Sequence, residues 1–112
     1  MDKLKKYQTI LKKELEKQAA VTFSNAPDIK FHLLINKAET EFALFKMGWI
    51  GEVHKHGIVF HFEIKEGKVY LHANSTNIEI GDILAEKGIP KSDIVIAFLA
   101  EYERAPEYAG AL

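Results

Sequence analysis

The feature that most constrains the fold is the run Ile58 to Ala73, where apolar and polar residues alternate on either side of Glu66-Gly67. In an extended chain, successive side chains point to opposite faces. Ile58, Phe60, Phe62 and Ile64 therefore share one face, and Val59, His61 and Glu63 share the other. Gly67 is free to take the positive φ of a tight hairpin turn. Pairing across Glu66-Gly67 then sets Ile64 opposite Val69, Phe62 opposite Leu71 and Phe60 opposite Ala73. The other face pairs Glu63 with Tyr70 and His61 with His72. Every pair matches in character, and a one-residue slip would destroy the match. An antiparallel hairpin with one apolar face is expected at the centre of the fold.

The neighbouring segments supply partners for that face. Residues 3 to 20 carry Leu4, Tyr7, Leu11, Leu15 and Gln18 along one stripe, and Lys5, Lys6, Lys12, Lys13, Glu16 and Lys17 elsewhere, which predicts an amphipathic helix. Asp2 is placed to cap its first turn. Ser24 to Asp28 contains Asn25 and Pro27 and reads as a loop. A strand is expected from Ile29 to Ile35 and another from Glu41 to Trp49. The second is apolar on both faces and is expected to be well covered. Gly51 supports a turn into the hairpin's first strand, about Lys55 to Lys65. Thr76 and Glu79 have capping-box spacing for a helix from about Asn77 to Lys87, with Ile80, Ile83 and Leu84 as its buried stripe. Gly88 in the left-handed conformation ends that helix, Ile89 folds back on it, and Pro90 forbids continuation. A short buried strand from Ile94 to Leu99 precedes an irregular tail bearing Glu101, Glu103, Arg104 and Glu107. The order is helix, four strands, helix, strand: an α+β domain with a mainly antiparallel sheet of about five strands, covered by helices.

A chain of 112 residues, 47% hydrophobic and 28% charged, suffices for one domain over residues 1–112 with a core of its own. With no cysteine, disulfides, thiol chemistry and cysteine-ligated zinc are excluded, in keeping with a reducing, cytoplasmic setting. The start, Met1 to Lys6, is followed by no apolar run and does not read as a signal peptide, and no stretch has the length of a membrane span. A net charge of −1 gives no global attraction to a nucleic-acid backbone.

Residue chemistry points to no cofactor and no catalytic residue. His54, His56, His61 and His72 fall on neighbouring strands, and His56, His61 and His72 are the candidate metal ligands, because zinc accepts neutral imidazole nitrogen. The competing reading is a half-exposed sheet face whose imidazoles make only hydrogen bonds, since no carboxylate completes a ligand set in a recognised spacing. Ser24, Ser75 and Ser92 sit in turn or cap contexts with structural work for a hydroxyl. There is no nucleophile elbow, phosphate-cradling glycine loop or carboxylate pair for acid–base catalysis. The lysines of the first helix raise direct DNA binding as an alternative. Asp2, Glu14 and Glu16 interrupt that basic stripe, and no aromatics interleave for base stacking. Trp49 is expected to be a core or sheet-end anchor.

Taken in order, Gly48-Trp49, Gly51, His56-Gly57, His61, Ile64, Gly67-Lys68, Thr76, Gly88-Ile89-Pro90-Lys91 and Asp93-Ile94-Val95, with Arg104 beyond them, resemble the XisI family of fdxN element excision controlling factors. The resemblance runs from about residue 4 to Arg104. It implies a small α+β regulatory protein with no known catalytic activity, acting with a companion XisH-type protein while a separate recombinase, XisF, excises a DNA element. On that basis the expected partner is an XisH-type protein, with a homo-oligomer as a further expectation because an open sheet has edges to cover. The chain departs from the family pattern at Asn74 and Asn77, where acidic residues are usual, and over Ala97 to Glu101.

Overall fold

Residues 2–22 and 25–111 are described by the computed structural model. The elements follow as α1 (Lys3–Ala19), β1 (Lys30–Ile35), β2 (Glu41–Ile50), β3 (Val53–Lys65), β4 (Lys68–Asn74), α2 (Ile80–Lys87) and β5 (Ile94–Ile96), with 3-10 turns at Lys91–Asp93 and Glu101–Glu103. The Ser24 part of the expected loop, and with it one of the three serines, lies outside the described residues.

Asp2 caps α1 as expected, its carboxylate accepting the Leu4 N–H at 3.0 Å. The buried stripe differs at both ends from the sequence reading. Leu4 is exposed and Gln18 only half-buried, whereas Tyr7, Leu11, Glu14 and Leu15 are buried. Glu14 takes a place on the inner face by accepting a hydrogen bond from Gln18 Nε2 at 2.9 Å, which supplies part of the solvation it loses.

The sheet runs in the order β1-β2-β3-β4-β5. The first three pairings are antiparallel, and β4 and β5 are parallel because α2 carries the chain across between them. Phe42, Leu44, Phe60, Phe62, Val69 and Leu71 point to the side occupied by α1 and are almost completely removed from solvent. Leu11, Leu15, Ile80, Leu84, Ile89 and Ile94 complete this core. Among the described residues, β1–β4 are covered on that side only, whereas Val95 of β5, on the outer side beside Tyr70, is buried next to Gly110 of the tail. β2, apolar on both faces, was expected to be covered on both, yet Trp49 is exposed and Phe45 and Met47 are only partly buried on its outer side.

The central hairpin has the expected turn, with Glu66 at φ 54 and Gly67 at φ 76, and pairs Ile64 with Val69, Glu63 with Tyr70 and Phe62 with Leu71. Beyond that point the register differs. A bulge sets His61 opposite Ala73 and Phe60 opposite Asn74, leaving His72 as the extra residue rather than the partner of His61. A second bulge between β2 and β3 pairs Phe45 with Ile58 directly after Leu44 with Phe60, so Val59 is the extra residue. Val59 is consequently buried in the core and Ile58 only partly, the reverse of strict alternation.

Ile50 pairs with Val53 across Gly51-Glu52, so the β2–β3 hairpin is longer than the sequence reading. Helix α2 is shorter, starting at Ile80 rather than Asn77, and the Thr76–Glu79 capping box does not form. Instead, Asn74 Oδ1 accepts from both Thr76 N–H (2.9 Å) and Thr76 O–H (2.7 Å), and Thr76 Oγ1 accepts from Ile78 N–H (3.0 Å). This local network holds residues 74–78 in a turn that competes with the first helical turn. The helix ends as expected: Gly88 has φ 120, the Ile89 N–H reaches back to the Leu84 carbonyl at 2.9 Å, and Ile89 is buried. Strand β5 stops at Ile96 rather than Leu99, because the Leu99 N–H turns back to the Ile96 carbonyl. The tail is irregular as expected apart from the Glu101–Glu103 turn, but it is tied down. Arg104 Nε donates to the carbonyls of Ile96 and Leu99 at 3.1 Å, and Nη1 donates to Gly110 at 3.0 Å. Ala109 N–H bonds the Ile94 carbonyl, closing the free side of β5.

Candidate functional site

Three regions of this fold could carry function: the outer face of the sheet, the basic side of α1, and a crevice at the carboxyl ends of the parallel strands.

On the outer face, His61 and His72 approach despite the bulge, with ring centroids 5.0 Å apart. Each has its own carboxylate. His61 Nε2 lies 3.1 Å from Glu41 Oε1, and His72 Nε2 lies 2.9 Å from Glu63 Oε1. The His72 hydrogen bond is the main cause holding the Glu63 carboxyl below the usual range. Tyr70 stacks beside His72, and Lys65 Nζ sits 4.8 Å from the Tyr70 ring centre. His56 stacks on Phe45, and His54 packs against the exposed ring of Trp49. The three candidate metal ligands are therefore not brought together. His56 lies opposite Met47, in a part of the face separate from the His61–His72 pair. Among the described residues no group of three or more His, Asp or Glu is arranged to hold a metal ion. Trp49 is a sheet-end residue and not a core one.

The basic side of α1 is divided. Lys3 pairs with Asp93 at 2.9 Å. Lys5, Lys6 and Lys87 surround Ile10 on one side, and Lys13 and Lys17 with Lys87 surround it on the other, forming two shallow crevices of about 390 and 410 Å³. Beneath the helix, the buried Tyr7 hydroxyl donates a short hydrogen bond to Asp93. Burial and the Asp93 carboxylate together push the Tyr7 hydroxyl up to about 12. Burial acts to raise the Asp93 carboxyl, but hydrogen bonds from Tyr7 and Lys3 outweigh it and hold it low. This cluster ties α1 to the turn before β5.

The crevice, about 410 Å³, is lined by Asn74, Thr76, Asn77, Glu79, Phe98 and Tyr108 among others. It opens where β4 and β5 end side by side, the usual position of a crevice between parallel strands. Nothing in the local sequence signals it, since it exists only because the α2 crossover sets β5 against β4. The polar groups of Asn74 are committed to Thr76 and Ile78. Tyr108 lies over Gly81 so closely that a Cβ there would stand 2.3 Å from its hydroxyl oxygen. Asn74, Asn77, Phe98 and Leu99 line this crevice together.

Most residues of the ordered motif set perform backbone work. Gly48 has φ 145, and a Cβ there would stand 2.1 Å from the Asp28 carbonyl oxygen. Gly51, Gly67 and Gly88 take positive φ at turns and at the α2 terminus. Thr76 and Arg104 bind backbone, and Lys91 pairs with Asp82 at 2.7 Å, which raises its ammonium. Gly57 has open space around it, and His61 faces the outer side.

The chain matches the XisI protein family over residues 1–110. No curated protein matches it. Among solved structures, it is similar to a XisI-like protein from Anabaena variabilis, with 30% identity, 96% of this chain and 98% of that chain covered, and a TM-score of 0.81. It is also similar to the fdxN element excision controlling factor XisI from the same organism, with 28% identity, 98% and 100% coverage, and a TM-score of 0.79. Two helices and a five-stranded, mostly antiparallel sheet are thus shared along almost the whole length, and this chain belongs to the XisI family.

Proposed function

We propose that this chain is a non-enzymatic accessory protein, acting by contact with an XisH-type protein in the site-specific excision of a DNA element. The carrying observation is the end-to-end match to a solved relative named as an excision controlling factor. The surface agrees with a factor that reaches DNA through another protein. The net charge is −1, Lys3 is held in an ion pair, and the lysines around the two adjoining crevices are interleaved with Asp2 and Glu14. Tyr7, pushed up to about 12, and Asp93, held low, join α1 to the chain before β5 and line none of these crevices. No helix among the described residues is long and apolar enough to cross a membrane, and we place the protein's work in the cytoplasm.

Mixing the purified chain with an XisH-type protein at micromolar concentration is the direct test. A stoichiometric complex is expected, and failure of the two to associate by size-exclusion chromatography would remove the proposal. Direct DNA binding predicts a steep loss of affinity with salt, which the chain alone is not expected to show.

A further inference from the structure

All five histidines of the chain stand on one side of the sheet, and over β1–β4 that side is open. Following the register, Lys30, His32 and Leu34 of β1 share the outer face with Ala43, Phe45 and Met47 of β2. His56, Ile58 and His61 of β3 continue it, as do Trp49 and His54 at the hairpin tip. Tyr70 and His72 extend it onto β4. None of these residues is buried, while Phe42, Leu44, Phe60, Phe62, Val69 and Leu71 on the inner face are almost fully so. Leu34 and Trp49 are 60% and 53% exposed. An apolar sheet face left open in this way calls for a cover.

The chemistry of the face favours a second copy of itself. In a two-fold contact the same patch meets itself, so a face of strong single-sign charge would repel its partner. Here the fixed charges are few and mixed: Lys30, Lys65 and Lys68 against Glu41 and Glu63, with both glutamates already engaged by His61 and His72. Four strands of six, ten, thirteen and seven residues, about 4.8 Å apart, project roughly 570 Å² of face. That is on the order of the ~800 Å² per partner of a standard interface. Sheets pack face to face in this manner with strands crossing at about −30°.

We propose that the outer face of β1–β4 is a homodimer interface in which two sheets stack. Its polar groups are already partnered within the face: His61 and His72 face Glu41 and Glu63, with Tyr70 beside His72. His54 and His56 pack against the rings of Trp49 and Phe45, and His32 lies between Lys30 and Leu34 on its strand with Phe45 opposite.

Sedimentation at micromolar concentration is expected to show a dimer. Leu34→Glu is expected to weaken the dimer roughly tenfold or more, whereas Leu4→Glu, at an exposed site on α1 on the other side of the sheet, leaves it unchanged. Both sites are exposed, and an unchanged circular-dichroism melt confirms that each variant folds. A monomer at micromolar concentration, a dimer indifferent to Leu34→Glu, or an XisH-type complex abolished by Leu34→Glu without any dimer, would each overturn the proposal. The inference does not depend on the identity of the excision partner.

Discussion

Three glycines of the β2–β3 hairpin should respond to alanine in three different ways. Gly48 combines φ 145 with an Asp28 carbonyl oxygen only 2.1 Å from where a Cβ would stand. An L-residue held there is strained by about 1–3 kcal/mol. The Asp28 backbone would also have to withdraw by about an ångström, pulling on Ile29, which is buried. Overpacking of that kind costs a further ~1–3 kcal/mol. Gly48→Ala should therefore destabilise by about 2–6 kcal/mol, lowering Tm by about 8–36 °C for a domain near this length. Gly51 has φ 60 with nothing within 4 Å, so its alanine bears only the left-handed backbone cost of about 1–2 kcal/mol. Gly57 has neither a positive φ nor a close neighbour, and Gly57→Ala should be neutral or stabilising by up to ~1 kcal/mol through a less flexible unfolded chain. Guanidinium unfolding followed by circular dichroism gives all three values. A Gly48→Ala cost below that of Gly51→Ala would refute the close crossing of β2 over residues 28–29.

Tyr7→Phe removes the hydroxyl that bonds Asp93 and should cost about 1–2 kcal/mol near neutral pH, read from urea unfolding. Because Asp93 is held low in the folded state, its stabilisation is present above the usual carboxylate pKa and fades as pH falls through the folded value. Tyr7→Phe should flatten that acid limb. At the alkaline end, Tyr7 is raised to about 12, so its share of stability is intact below pH 10 and lost between about 10 and 12, a loss absent from the variant. Asn74→Ala strands the Thr76 N–H and the Ile78 carbonyl and should destabilise by about 2–3 kcal/mol, with Asn74→Asp recovering the part that depends on Oδ1. Arg104→Ala removes the guanidinium donor from the carbonyls of Ile96, Leu99 and Gly110, of which Ile96 keeps the Leu99 N–H. Faster amide exchange confined to residues 105–111 and β5 is expected, and lysine should not restore protection because it lacks the fork.

The sequence by itself determined the element order, the hairpin turn at Glu66-Gly67, the Asp2 cap and the Gly88–Ile89 terminus, because each depends on residues within a few positions of one another. The ordered motif set likewise pointed to the family. Those same motifs said little about a site, since most of them shape turns and caps. Tertiary structure decided what depends on distant partners. The bulges at Val59 and His72 reassign which side chains face the core, and a bulge arises where two strands must twist past each other, which neither strand encodes alone. Burial of Glu14 required Gln18 to turn toward it on a packed helix. Coverage of β1–β4 on one side only could not be read from β2, because an apolar face is written identically whether a helix or a second molecule lies against it. The crevice at Asn74 and the gathering of five histidines on the open face follow from strand order, and strand order is a property of the whole chain's packing.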